Sequence, residues 1–257
     1  MAKGTPVDVS SPARSARVNC AGAAVHRHSP DTTEYLCALP DQPDWIPTSV
    51  PLRAVLQAAS TLPFRELVVA LDYLLRYDAH RYDPSLHVSL DELRRFAQAA
   101  TGRGVVRFRA AAALARVGSE SRMETLMRLA NARAGMPELE LQFELHDELG
   151  HWIGRFDGAD VKSRSLFEFD GEQHLRLLSQ RKRDARKHQD ARDAGWRILV
   201  FYREDLLGGL LPAGRRMLSF SGRTARRVAP GLARLLDETA AGEAESAIPV
   251  HRPSSPA

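Results

Sequence analysis

The sequence predicts an α+β protein, with an N-terminal helical region followed by an α-β-β-β-α-β unit folded as a mixed-sheet sandwich. Two observations predict it. Apolar residues recur at helical spacing through much of the first half, and the period then switches to two. Leu139, Leu141, Phe143 and Leu145 alternate with Glu140, Gln142 and Glu144. Two further strand-like runs follow, then a charged helical stretch, then Trp196–Tyr202, a run of β-forming residues. Successive strands can form a meander, and a strand reached through a helix can lie parallel to one of them.

Taken in order, residues 1–47 read as an irregular segment with short strands near Arg17–Asn19 and Ala23–His26, interrupted by Pro40, Pro43 and Pro47. Cys20, His26, His28 and Cys37 have no paired-ligand spacing, so they read as buried cysteines and surface histidines rather than a zinc site. Residues 48–118 read as a helical bundle. Pro51 sits in a first helical turn, Leu67, Val68, Leu71, Leu74 and Leu75 mark an amphipathic helix, and Ser89 with Glu92 forms a capping box. Arg107, Arg109 and Arg116 read as a solvated helix face.

Residues 119–212 hold the mixed-sheet unit. Ser121 and Glu124 form a second capping box, and the helix closes at Gly135. The second strand is expected over 151–157, with Trp152 and Ile153 in the core. A loop over 158–164 leads to the third strand, 165–170. A basic helix at about 175–194 ends at Gly195, and a short helix follows the last strand. Residues 213–257 read as a loosely packed helix carrying Arg223, Arg226 and Arg227, then a disordered tail.

The 257 residues, 44% hydrophobic, suffice for one large or two small domains. A net charge of +4 permits a polyanionic partner without demanding one. Two cysteines, no apolar leader and no run approaching ~20 apolar residues lead us to expect a cytoplasmic protein with no membrane partner.

The chemistry gathers around the third strand. Alternation turns Glu168 and Asp170 to one side while Phe167 and Phe169 face the core. Neighbouring carboxylates at a strand end repel, and a divalent cation relieves that repulsion. Asp157, ending the previous strand, could join Glu168 as a Mg2+ ligand, with Mn2+ able to substitute and Asp170 as a further ligand. His174, in the turn entering the basic helix, is the candidate to activate water or protonate a leaving group. Glu124 is either a capping-box glutamate or a reach into the site from the preceding helix. Arg183, Arg186 and Lys187 lie at i, i+3 and i+4, and with Arg176 they would suit a DNA backbone. A solvated face with local ion pairs is the alternative.

The order of motifs resembles the PD-(D/E)XK nuclease superfamily. More closely, it is similar to uncharacterised bacterial proteins with a very-short-patch-repair-endonuclease-like C-terminal domain. The resemblance rests on Met123-Glu124-Thr125, Gly135-Met136-Pro137, Gln142, Arg155-Phe156-Asp157, Glu168-Phe169-Asp170-Gly171-Glu172-Gln173-His174, Arg183-Asp184 and Gly195-Trp196-Arg197, over about residues 119–207. It implies a restriction-endonuclease-like fold and a Mg2+-dependent DNA endonuclease. The upstream helices resemble the middle of proteins that begin with an abortive-infection antitoxin-like winged helix, and this chain is expected to lack the complete winged helix. Asp170 stands where most of the superfamily has lysine; Lys182 or Lys187 could replace it. That departure supports the alternative of an inactive nuclease-fold DNA-binding or antitoxin-like regulatory protein.

Overall fold

The computed structural model describes residues 7–12, 23–28, 34–38, 45–76, 87–171 and 178–238. Two small sheets come first. β1 (Val7–Pro12) pairs in parallel with β2 (Ala23–His28), and β3 (Glu34–Ala38) pairs antiparallel with β4 (Trp45–Ser49). The strand expected near 17–19 and the tail after 238 lie outside the described residues.

Four helices follow: α1 (Pro51–Ala58), α2 (Phe64–Leu75), α3 (Leu90–Ala99) and α4 (Val105–Leu114). Pro51 opens α1, where its missing N–H costs nothing. The capping box at α3 forms as expected: Ser89 accepts from the Glu92 N–H, and Glu92 accepts from the Ser89 N–H at 2.8 Å.

The remaining elements are α5 (Arg122–Arg133), β5 (Glu140–His146), β6 (Trp152–Asp160), β7 (Ser165–Phe169), α6 (Leu178–Asp193), β8 (Arg197–Phe201), α7 (Arg203–Leu207), α8 (Leu210–Ser221) and α9 (Pro230–Leu236). The protein is therefore mixed α and β, with nine α-helices among the described residues and one four-stranded mixed sheet. The sheet order is β5-β6-β7-β8. The first three strands form an antiparallel meander, and β8 returns through α6 to lie parallel to β7. Among the described residues, no helix is long and apolar enough to cross a membrane.

One core runs through both the helical region and the sheet unit. Phe64, Leu71 and Phe108 of the first share it with Leu126, Phe167, Phe201, Met217 and Leu236 of the second. A smaller cluster, Leu145, Phe156, Ala159, Leu166 and Ala191, lies between the sheet and α6. The two halves are also tied by Asp72, which is 1% exposed. It accepts from the Arg116 N–H at 2.8 Å, the Thr125 hydroxyl at 2.9 Å and the Arg128 guanidinium at 2.6 Å.

Three local expectations change. The stretch read as one loosely packed helix after 213 is two, because Gly222 caps α8 in the left-handed region and Pro230 opens α9. Arg223, Arg226 and Arg227 lie between them, and Arg223 forks onto Asp160. α8 packs tightly, since a Cβ at Gly214 would stand 2.1 Å from the Ala130 carbonyl oxygen. Trp152 is 61% exposed rather than core, because the β5–β6 register shifts between Leu145 and His146. β6 also runs on to Asp160, so the expected loop shrinks to a 3-10 turn at Val161–Ser163.

Candidate active site

The site forms where the sheet bends. Gln142 on β5 has φ of 50°, and it sits opposite Asp157 in a register that skips that pair. The left-handed residue breaks the alternation of β5. Leu141 joins the main core, whereas Phe143 and Leu145 pack with the cluster under α6. The strand therefore buries two faces, not the single face its alternation predicts. On the other side of β6 the β7 ladder covers only Asp160/Ser165, Ala159/Leu166 and Gly158/Phe167. Beyond that ladder, the Phe169 N–H, two residues on from Phe167, donates to Oδ2 of Asp157 at 2.8 Å. A carboxylate takes the place of a main-chain acceptor, and the strands splay around it.

α5 brings Glu124 to this bend. The Ser121 hydroxyl accepts the Glu124 N–H at 3.2 Å, so half of the expected capping box is present. The reciprocal half is not. Glu124 Oε2 instead accepts the Glu120 N–H at 2.8 Å and the Gln142 side-chain amide at 2.9 Å. Both readings of this residue are thus partly met: it caps the helix start and also reaches the sheet. Burial raises its pKa above the usual carboxylate value.

Asp157 carries the largest perturbation. Burial first, then the Glu124 charge, and less strongly that of Glu168, push its carboxyl up to about 7. The Phe169 hydrogen bond and the Lys187 charge oppose them. Glu168, one strand over, behaves oppositely. Burial acts to raise it, but the hydrogen bond from His188 and the charge and hydrogen bond of Lys187 outweigh burial and hold it below its usual range.

Lys187 and His188 come from α6. Ala191 is fully buried against the sheet, and His188 and Lys187 lie three and four residues before it on the same face. The Lys187 stem crosses Gly154, where a Cβ would stand 2.5 Å from its Cδ. Its ammonium also donates to the Arg155 carbonyl at 3.0 Å and stands 4.3 Å from the Phe156 ring centroid. The Phe156 and His188 rings are stacked with centroids 6.5 Å apart.

The structure thus brings together Asp157, Glu168, Glu124 and Lys187 of the expected residues. Asp170 continues the β7–β8 pairing, its N–H donating to the Phe201 carbonyl at 2.9 Å. His174 and Arg176 lie outside the described residues. Lys182 and Arg183 are exposed, and Arg186 is exposed with Asp190 3.9 Å away. The cationic stripe therefore loses Lys187, which turns inward to the carboxylates. His188 was not anticipated; its signal was the i, i+3 relation to the one alanine that the helix buries.

Among the described residues, no group of three or more His, Cys, Asp or Glu side chains is arranged to hold a metal. Magnesium needs less: it prefers one or two carboxylates, with waters and substrate phosphate completing its shell. Asp157 and Glu124 supply hard oxygen donors whose charges oppose each other, which suits such an ion. No protein-family model, curated protein or solved structure matches the chain.

Proposed function

We propose that this chain is a Mg2+-dependent DNA endonuclease with a restriction-endonuclease-like arrangement of its sheet. One observation carries the reading. A half-buried Asp157, pushed up to about 7 by desolvation and by Glu124 and Glu168, sits on splayed strands beside a lysine-paired glutamate. Repelling carboxylates flanked by an ammonium are what phosphodiester hydrolysis requires, and clustered perturbed acids mark functional sites.

Asp157 and Glu124 would hold the cation, with Glu168 beside them. When bound, the cation polarises the phosphate and lowers the pKa of bound water. The chain's own groups do the rest. Lys187, reaching in from α6, would present positive charge to the scissile phosphate in place of the superfamily's strand lysine, whose sequence position Asp170 takes. Glu168 fixes that ammonium, and His188 fixes Glu168 from its other oxygen. Arg183 and Arg186, exposed on α6, contact the flanking backbone, so binding weakens steeply with salt. Such an enzyme would act on DNA in the cytoplasm.

The occupied oxygens of Glu168 favour one second reading, a nuclease-fold DNA-binding or antitoxin-like regulator without turnover. A cleavage assay on supercoiled, mismatched and single-stranded DNA separates the two. The endonuclease nicks DNA with Mg2+ or Mn2+, and Asp157→Asn or Glu168→Gln abolishes this with the circular dichroism spectrum intact. Wild-type protein inert on all three substrates with both metals overturns it. Salt-sensitive DNA binding that survives Glu168→Gln, without cleavage, establishes the regulator.

A further inference from the structure

A cleft between α3 and α4 lies apart from the carboxylate site. Its volume is about 510 Å3, within the ~300–1,000 Å3 of small-molecule sites. Leu90 and Ala97 of α3 and Ala112 and Ala113 of α4 make an apolar floor. The alanines create the room, since larger side chains at those positions would fill it. Arg94, Arg109 and Arg116 also line it, and no lining residue is acidic.

The three arginines differ in what they can offer. Arg116 is spent, held by Glu138 and by the Ala113 and Ala115 carbonyls. Arg109 is fixed but not neutralised. Its Nε donates to the Ala97 carbonyl at 2.8 Å, and Nη2 donates to the Gln98 and Ala100 carbonyls at 3.2 and 2.8 Å. These bonds to the end of α3 engage Nε and Nη2 of a guanidinium that lines the cleft, and Nη1 is the nitrogen left to meet a ligand there. Arg94 meets Asp91 at 3.4 Å, with both side chains largely exposed, so its charge is available at little cost. A guanidinium held on main-chain carbonyls is preorganised, and its partner Arg94 is adaptable.

We propose that this cleft binds a small organic anion, with a carboxylate or phosphate head on Arg94 and Arg109 and an apolar body along the alanine floor. The two probes that separate the possible sources are decanoate, an apolar carboxylate, and dAMP, a phosphate on a flat base. The full chain is titrated with each by calorimetry and thermal melting, alongside Arg94→Gln and Ala112→Phe. Arg94→Gln removes only an exposed charge, and Ala112→Phe fills the cleft while keeping both guanidinium groups.

One probe is expected to bind saturably and raise Tm by several degrees. Ala112→Phe should abolish the effect, and Arg94→Gln should weaken it about tenfold, the loss of one charged contact. Which probe binds identifies the head group. Failure of both probes to saturate overturns the proposal. So does binding that neither substitution weakens, which for dAMP would place the nucleotide elsewhere, such as the carboxylate site.

Discussion

The main-chain N–H of Phe169, two residues past the last β6–β7 pair at Phe167, donates to Asp157 Oδ2 at 2.8 Å. The strand ladder thus ends on a side chain, and the half-buried Asp157 carboxyl is pushed up to about 7 from 3.8. A raised acid makes the folded state hold its proton where the unfolded chain releases it. Stability therefore falls as pH rises from about 4 to about 7 and stays low above. Asn keeps the acceptor for Phe169 but carries no charge. Asp157→Asn should flatten this dependence and stabilise the protein at pH 8 by on the order of 3 kcal/mol, and matter little at pH 4. Urea denaturation at the two pH values checks it; an equal effect at both would sink the assignment.

Glu124 is the largest charge acting on Asp157. Glu124→Gln should lower the Asp157 pKa toward the usual aspartate value without reaching it, because burial, the larger cause, remains. Carboxyl carbon chemical shifts of Asp157 followed against pH report this directly. The pH window of instability should move down with it. An Asp157 titration unchanged in the variant would mean that the two groups are not electrically coupled.

How far this site was legible in the sequence follows from what each part depends on. The strand order and the inward Phe167 and Phe169 followed from period-two alternation, and the Ser121 cap from its local pattern. The bend did not, because it rests on Gln142 adopting φ of 50°, a conformation that glycine or asparagine advertises and glutamine does not. That bend places Asp157 against Glu124 and splits β5 between two cores. The inward turn of Lys187 was half legible. Its charge matched the exposed arginines around it, and only burial of Ala191 separates the face that meets the sheet from the face that meets water. The break between α8 and α9 is written in Gly222 and Pro230, which end one helix and open the next.

Asp72 joins the helical region to the helix that carries Glu124. Its carboxylate is fully enclosed and takes three donors, two of them from α5. Asp72→Ala leaves the Arg128 guanidinium, 5% exposed, without its counter-charge, which costs about 3–5 kcal/mol. The expected result is a large drop in Tm. Arg128→Met should cost less in the Asp72→Ala background than alone, and a double-mutant cycle measures the difference. Additive losses would show that the pair contributes nothing as a pair.

Lys187 and Glu168 allow the last test, because Gly154 offers a way to disturb them without touching either. Lys187→Met removes the ammonium. Glu168 should then rise toward its ordinary pKa, since His188 alone is left to oppose burial. A carboxyl held low stabilises the fold above its unfolded pKa and loses that contribution as pH falls through the folded value. Lys187→Met should therefore destabilise by about 1–3 kcal/mol near neutrality, with the deficit shrinking on acidification. Gly154→Ala places a Cβ 2.5 Å from the Lys187 Cδ, in the middle of the stem rather than at its tip. The stem must move, so this variant should raise the Glu168 pKa in the same direction. Adding it to Lys187→Met should change little. If Gly154→Ala leaves the Glu168 titration at its wild-type position, the lysine has another route to the carboxylate, and the glycine is not what lets it through.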